Sequence, residues 1–95
     1  MDAFVQKAIT EHKVVMFSWV TCPFCVRAKD ALEPLTDDMK IYYVDKMEEG
    51  EAIRKVIRQA YNHETVPAIF IKGNFVGGCT EALALIDSGK LKEML

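Results

Sequence analysis

Cys22 and Cys25 stand three residues apart in the stretch VTCPFCVRA, with Pro23 and Phe24 between them. Such a pair can supply half of a zinc site, close a structural bridge, or carry out thiol–disulfide exchange. A protein-only zinc site needs two more ligands. Cys79, His12 and His63 are the remaining cysteine and histidines, and none forms a second close pair. Three cysteines in 95 residues are too few and too odd for a disulfide-stapled scaffold. In a reducing compartment a structural bridge is poorer still, so redox chemistry leads the three readings.

Pro23 makes the two sulfurs unequal. Proline suits the first position of a helix, where its missing N–H would be unpaired anyway. It also pushes the preceding residue out of helical geometry. Cys22 is therefore expected at or beside an N-cap, with its sulfur able to face the free N–H groups of the first turn. Those donors and the helix dipole favour a thiolate, the form that attacks disulfides. Cys25 falls one turn further in, on the same side and less exposed. Cys22 is the expected nucleophile and Cys25 the expected resolving thiol.

Two other stretches can shape a site. Thr65-Val66-Pro67 precedes an apolar run, and a proline there belongs at a strand start because it lacks a ladder donor. Were its peptide bond cis, Val66 would be left free to pair with an extended, peptide-like ligand. Gly77-Gly78 runs into Cys79-Thr80-Glu81, a close-approach loop leading to a helix N-terminus, an end that holds carboxylates.

The elements that must position these residues follow from periodicity. Phe4, Val5, Ala8 and Ile9 share a helical face between Asp2 and about Glu11. Lys13 to Ser18 reads as a buried strand. Cys25, Ala28, Leu32 and Leu35 predict a helix ending near Pro34, and Lys40 to Asp45 predicts a second strand. Ile53, Val56, Ile57, Ala60 and Tyr61 give a further helical face, closed by Asn62. Ala68 to Ile71, the turn residues Lys72 to Asn74, and Phe75-Val76 predict a hairpin. Thr80 is the expected cap of a last helix with Ala82, Leu85 and Ile86 inward. Gly89 interrupts it before a short final turn. The order predicts an α/β class: one domain spanning 1–95, with a four-stranded mixed sheet flanked by helices and the first two strands parallel.

Net charge is −2 with the signs interspersed, which gives no footprint for nucleic acid. Apolar runs are far shorter than the roughly 18 residues a membrane helix needs, and the first residues lack the pattern of a secretory leader. A cytoplasmic protein is expected. His12 and His63 read as surface residues without a role. Tyr42, Tyr43, Phe70 and Phe75 read as sheet packing, and Cys79 as a small buried hydrophobe. Arg54, beside Lys55 and Arg58, reads on its own as a solvated charge.

TCPFC, TVPAIFIKGNFVGGCTEAL and the strand VVMFS, in their order along the chain, resemble the glutaredoxin family. The active-site segment is similar to the family's dithiol form, Cys-Pro-Tyr-Cys, with Phe24 for tyrosine. The resemblance implies a thioredoxin-like fold, a cis Pro67, and reduction of protein disulfides and glutathione mixed disulfides with glutathione, or a related small thiol, as co-substrate. It further implies that Thr65, Val66 and Pro67 pair with the tripeptide backbone. Gly78, Cys79, Thr80 and Glu81 would receive the γ-glutamyl end, and Arg54 would face the glycine carboxylate. Partners would be disulfide-containing or glutathionylated proteins, with no metal and no second chain required. Where many members carry a lysine three residues before the first cysteine, this chain has Trp19, and Glu81 stands where aspartate is usual. The alternatives are an iron–sulfur cluster carrier, against which the rigid Pro23 argues, and a thioredoxin-like partner of a dedicated reductase.

Overall fold

In the computed structural model, which describes residues 2–95, the elements follow the order α1 (Asp2–Glu11), β1 (Val14–Ser18), α2 (Pro23–Leu32), β2 (Met39–Tyr43), α3 (Gly50–Tyr61), β3 (Ala68–Ile71), β4 (Asn74–Gly77), α4 (Cys79–Asp87) and α5 (Lys90–Met94). Short 3-10 turns occupy Glu33–Leu35 and Val44–Lys46. The strands form one sheet in the order β2-β1-β3-β4. β1 and β2 are parallel, as a helical crossover requires, and the other two pairings are antiparallel.

Every residue of β1 and β3 is buried, which is why these stretches read as continuous apolar runs and not as alternations. Side chains on a strand point alternately to its two faces. Val15, Phe17, Ala68 and Phe70 enter one core layer with Val5, Ala8 and Ile9 of α1 and Ile53 and Ile57 of α3. Val14, Met16, Ile69 and Ile71 enter the other, with Ala28 and Leu32 of α2, Cys79 and Ala82 of α4, and Leu91 of α5. Each fully buried side chain of this size contributes about 1.5–3 kcal/mol, so the two central strands are the rigid base on which the flanking loops rest.

Several local expectations shift. Phe4 and Ala60 are exposed; Phe4 instead packs edge-on against Tyr42, with ring centroids 5.8 Å apart. β2 stops at Tyr43 because Val44–Lys46 turn into a 3-10 segment, and Tyr43 is exposed where sheet packing was expected. Pro34 lies just past the end of α2, inside a 3-10 turn. Asn62 does close α3 in the left-handed conformation, with φ 53°. The hairpin turn is Lys72-Gly73, both at positive φ, as a two-residue turn compatible with strand twist demands.

Thr80 is not the cap of α4. That position belongs to Gly78, whose N–H donates to the Glu81 carboxylate at 2.7 Å. The carboxylate reaches back because it lies one turn along the helix, the acidic half of a capping box. Its approach constrains Gly77, which sits at φ 125°, where a Cβ would come within 2.8 Å of Glu81 Oε1. Gly78 carries no such constraint: its Cβ would meet its nearest neighbours at 3.4–3.6 Å. Gly77→Ala should therefore lower stability by about 1–3 kcal/mol in chemical denaturation, and Gly78→Ala by much less. Equal losses would contradict the assignment.

Candidate active site

The end of β1 delivers the chain to the start of α2 through Trp19, Val20 and Thr21. Both oxygens of Asp45 accept the Val20 N–H at 3.2 Å, pinning this loop to the turn after β2. Cys22 then takes an extended conformation (φ −140°, ψ 108°) as the N-cap of α2, with Pro23 inside the first turn. Its Sγ accepts the N–H of Cys25 at 3.2 Å. The sulfur thus occupies the place that an N-cap oxygen usually fills, facing the unpaired donors of a helix N-terminus.

The two thiols live in different surroundings. Cys22 is 9% exposed and opens onto a cleft, while Cys25 is 3% exposed. Burial pushes the Cys25 thiol up from 9.0 to about 11, helped by its hydrogen bond with Cys22. The Trp19 N–H and the Ser18 hydroxyl act in the opposite direction.

The cleft beside Cys22 has a volume of about 620 Å3. Arg54, Thr65, Val66, Pro67, Gly78, Cys79, Thr80 and Glu81 all line it, so the structure gathers Cys22 and these eight residues from α3, the loop before β3 and the β4–α4 junction. Cys25 is not on its wall. The Val66–Pro67 peptide bond is cis. The Cys22 thiol points to the Val66 carbonyl, 4.0 Å away, and Val66 lies outside the ladder, which starts at Ala68. The Gly78 N–H is taken by Oε1 of Glu81, so the donors left at this end are the backbone N–H groups of Cys79, Thr80 and Glu81.

Trp19 and Arg54 form one unit. The guanidinium carbon lies 5.0 Å from the centre of the indole ring. Nη2 donates to the Glu64 carbonyl at 2.9 Å, and Nη1 pairs with Glu51 at 3.2 Å. Arg54 is therefore held at the rim of the cleft and is not a free surface charge. His63 also departs from expectation. It is half-buried, its Nε2 lies 3.1 Å from the Pro67 carbonyl and 3.4 Å from Thr65 Oγ1, and its ring packs edge-on against Phe75 with centroids 5.2 Å apart. With the proton on Nε2, it donates to the carbonyl that follows the cis bond. Nothing local in the sequence signals this, since the partner is fixed only by the turn of the loop. His12 is likewise half-buried, paired with Asp38 at 2.6 Å. Among the described residues, no group of three or more His, Cys, Asp or Glu side chains gathers as a metal site, and no helix is long and apolar enough to cross a membrane.

Comparison with known proteins agrees with this geometry. The family model described as Glutaredoxin matches residues 14–76. Glutaredoxin-1 of Rhizophagus irregularis is 42% identical over 91 residues, covering 96% of this chain and 90% of that protein. The solution structure of the dithiolic glutaredoxin 2-C-Grx1 of Trypanosoma brucei brucei is 57% identical, covers 95% of this chain and 93% of that one, and superposes with a TM-score of 0.90. A buckwheat glutaredoxin–glutathione complex is 30% identical, covers 98% and 84%, and has a TM-score of 0.93. The mixed four-stranded sheet flanked by helices is the thioredoxin-like fold. Sequence, architecture and the paired thiols together establish that the chain belongs to the glutaredoxin family of thiol–disulfide oxidoreductases.

Proposed function

We propose that this chain reduces protein disulfides and glutathione mixed disulfides, with glutathione as the electron donor. The observation that carries the reading is the Cys22 sulfur, capped by the N–H of Cys25 and opening into a cleft with charged or donor groups at both ends. Glutathione has two carboxylates and one ammonium, and needs fixed partners near each end. Arg54, held on Trp19, suits the glycine carboxylate. The N–H groups of Cys79 and Thr80 at the start of α4 suit the γ-glutamyl carboxylate, and Glu81 suits the ammonium. Between them, the Val66 backbone is placed to pair with the tripeptide. That a buckwheat relative forms a complex with glutathione supports glutathione as the ligand.

In the first step, Cys22 as thiolate attacks a disulfide R–S–S–R′. A bond forms between Cys22 and one sulfur, and R′S⁻ leaves with the electron pair and takes up a proton. When R is glutathione, a second glutathione thiolate attacks that sulfur, releases glutathione disulfide and regenerates Cys22. When R is a protein, Cys25 loses its proton and attacks Cys22, closing the Cys22–Cys25 disulfide and freeing the reduced protein thiol. Two glutathione molecules then restore the dithiol. This cycle runs in one chain and suits a reducing compartment such as the cytoplasm.

Cys22→Ser should abolish both reactions. Cys25→Ser should keep reduction of a small glutathione mixed disulfide and lose reduction of protein disulfides. Steady-state assays with the two substrates check this, and equal loss of the first activity in both variants would overturn the unequal roles. The raised Cys25 pKa also predicts a pH profile. Burial is the first cause of the rise. The thiolate fraction, and with it the resolving rate, should climb by up to about tenfold per pH unit through the neutral range without levelling below about pH 9. Rapid-mixing measurements of resolution would detect a plateau near neutrality, which contradicts a buried, high-pKa thiol.

A further inference from the structure

The last residue of β1 breaks the chemistry of its strand. Val14, Val15, Met16 and Phe17 are apolar, yet the fifth position, Ser18, is a hydroxyl with 0% exposure. Its Oγ is a buried oxygen without a hydrogen-bond partner among the described residues. A buried hydroxyl with no protein partner adds little to the fold, since an unpaired polar group costs desolvation. An alanine would fill the position without that cost.

The strand's alternation says where the hydroxyl points. Val14 and Met16 enter the core layer that contains Ala28 and Leu32 of α2, and Ser18 has the same parity. It therefore faces α2, at the level of the first turn, where Cys25 is buried. Met16, Ser18 and Cys25 line a common gap of about 30 Å3, distinct from the cleft beside Cys22. The hydroxyl is near enough to draw the Cys25 thiol downward against burial, together with the Trp19 N–H.

We propose that Ser18 is a hydrogen-bond donor held in reserve for the Cys25 thiolate, serving the resolving step and not the first attack. The proposal rests on the resolving role given to Cys25 above. In the resting enzyme Cys25 is a neutral thiol, a weak acceptor, and the hydroxyl makes no hydrogen bond to another group among the described residues. When Cys25 gives up its proton to solvent, the sulfur becomes a strong acceptor at a position that is only 3% exposed. The Ser18 O–H rotates to donate to it, beside the Trp19 N–H. The thiolate then attacks the Cys22 sulfur of the mixed disulfide, the Cys22–Cys25 bond forms, and the substrate thiolate departs with the electron pair. The same donor serves the reverse cleavage, when a glutathione thiolate attacks Cys22 and Cys25 leaves as the anion. A hydroxyl cannot take the thiol's proton at neutral pH, so its part is to stabilise charge and not to act as a base.

The test compares Ser18→Ala with the parent protein and with Cys25→Ser, using a protein disulfide and a small glutathione mixed disulfide as substrates. A hydrogen bond to a charged group is worth tenfold or more in rate. The ratio of protein-disulfide reduction to mixed-disulfide reduction should therefore fall about tenfold in Ser18→Ala, while thermal stability stays equal or rises. A purely structural serine would lower stability and slow both reactions together, and that result overturns the proposal. So does an unchanged ratio when Cys25→Ser is inactive on the protein disulfide. If Cys25→Ser still reduces the protein disulfide, the resolving role itself fails, and this proposal with it.

Discussion

The hydrogen bond from the Cys25 N–H to the Cys22 sulfur joins the sheet, the helix and the cleft. It exists because a buried strand ends at Ser18 and a helix opens at Pro23, leaving Cys22 extended between them. The helix N-terminus then has donors to give, and a sulfur is the acceptor. The same junction buries the second thiol one turn into α2. One local geometry makes one sulfur available and hides the other, and the order of events in the proposed cycle follows from that difference.

What surrounds the junction keeps it in place from a distance. Asp45 holds the Val20 N–H from the turn after β2, His63 braces the Pro67 carbonyl, and Glu81 closes the start of α4. These contacts come from three separate connections between elements. They explain why the site needs the whole sheet order β2-β1-β3-β4: the loop before Cys22 leans on β2 while the cleft wall hangs from β3 and β4. Trp19 and Arg54 show how a changed residue is absorbed. Where many glutaredoxins carry a lysine, the indole contributes a flat face that supports the arginine, an arrangement worth about 0.5–1 kcal/mol at an exposed position. One positive charge then remains at that end of the cleft, and it is less free to move.

Much of this was legible in the residues. The apolar runs of β1 and β3, the face of α3 ended by Asn62, and the helix started by Pro23 depend on neighbours within a few positions. Periodicity and backbone preference therefore reveal them. The eight residues placed beside Cys22 do share its cleft, because the family resemblance carries long-range information that periodicity lacks. Asp45, His63 and Ser18 were not legible. Asp45 looked like the end of a strand, His63 like a surface residue and Ser18 like a strand terminus, since each is defined by a partner 4 to 25 residues away or by a face of the sheet. Thr80 misled for a related reason: it has the composition of a cap, but Glu81 already satisfies the turn through Gly78.

Peptide mapping by mass spectrometry, after reaction with glutathione disulfide near neutral pH, tests the unequal thiols most directly. In Cys25→Ser, glutathione should be found on Cys22 in near-stoichiometric amount. In Cys22→Ser, Cys25 should stay almost unmodified over the same time. Comparable labelling of Cys25 in the second variant would contradict the claim that the strand-to-helix junction separates the two sulfurs into attacker and resolver.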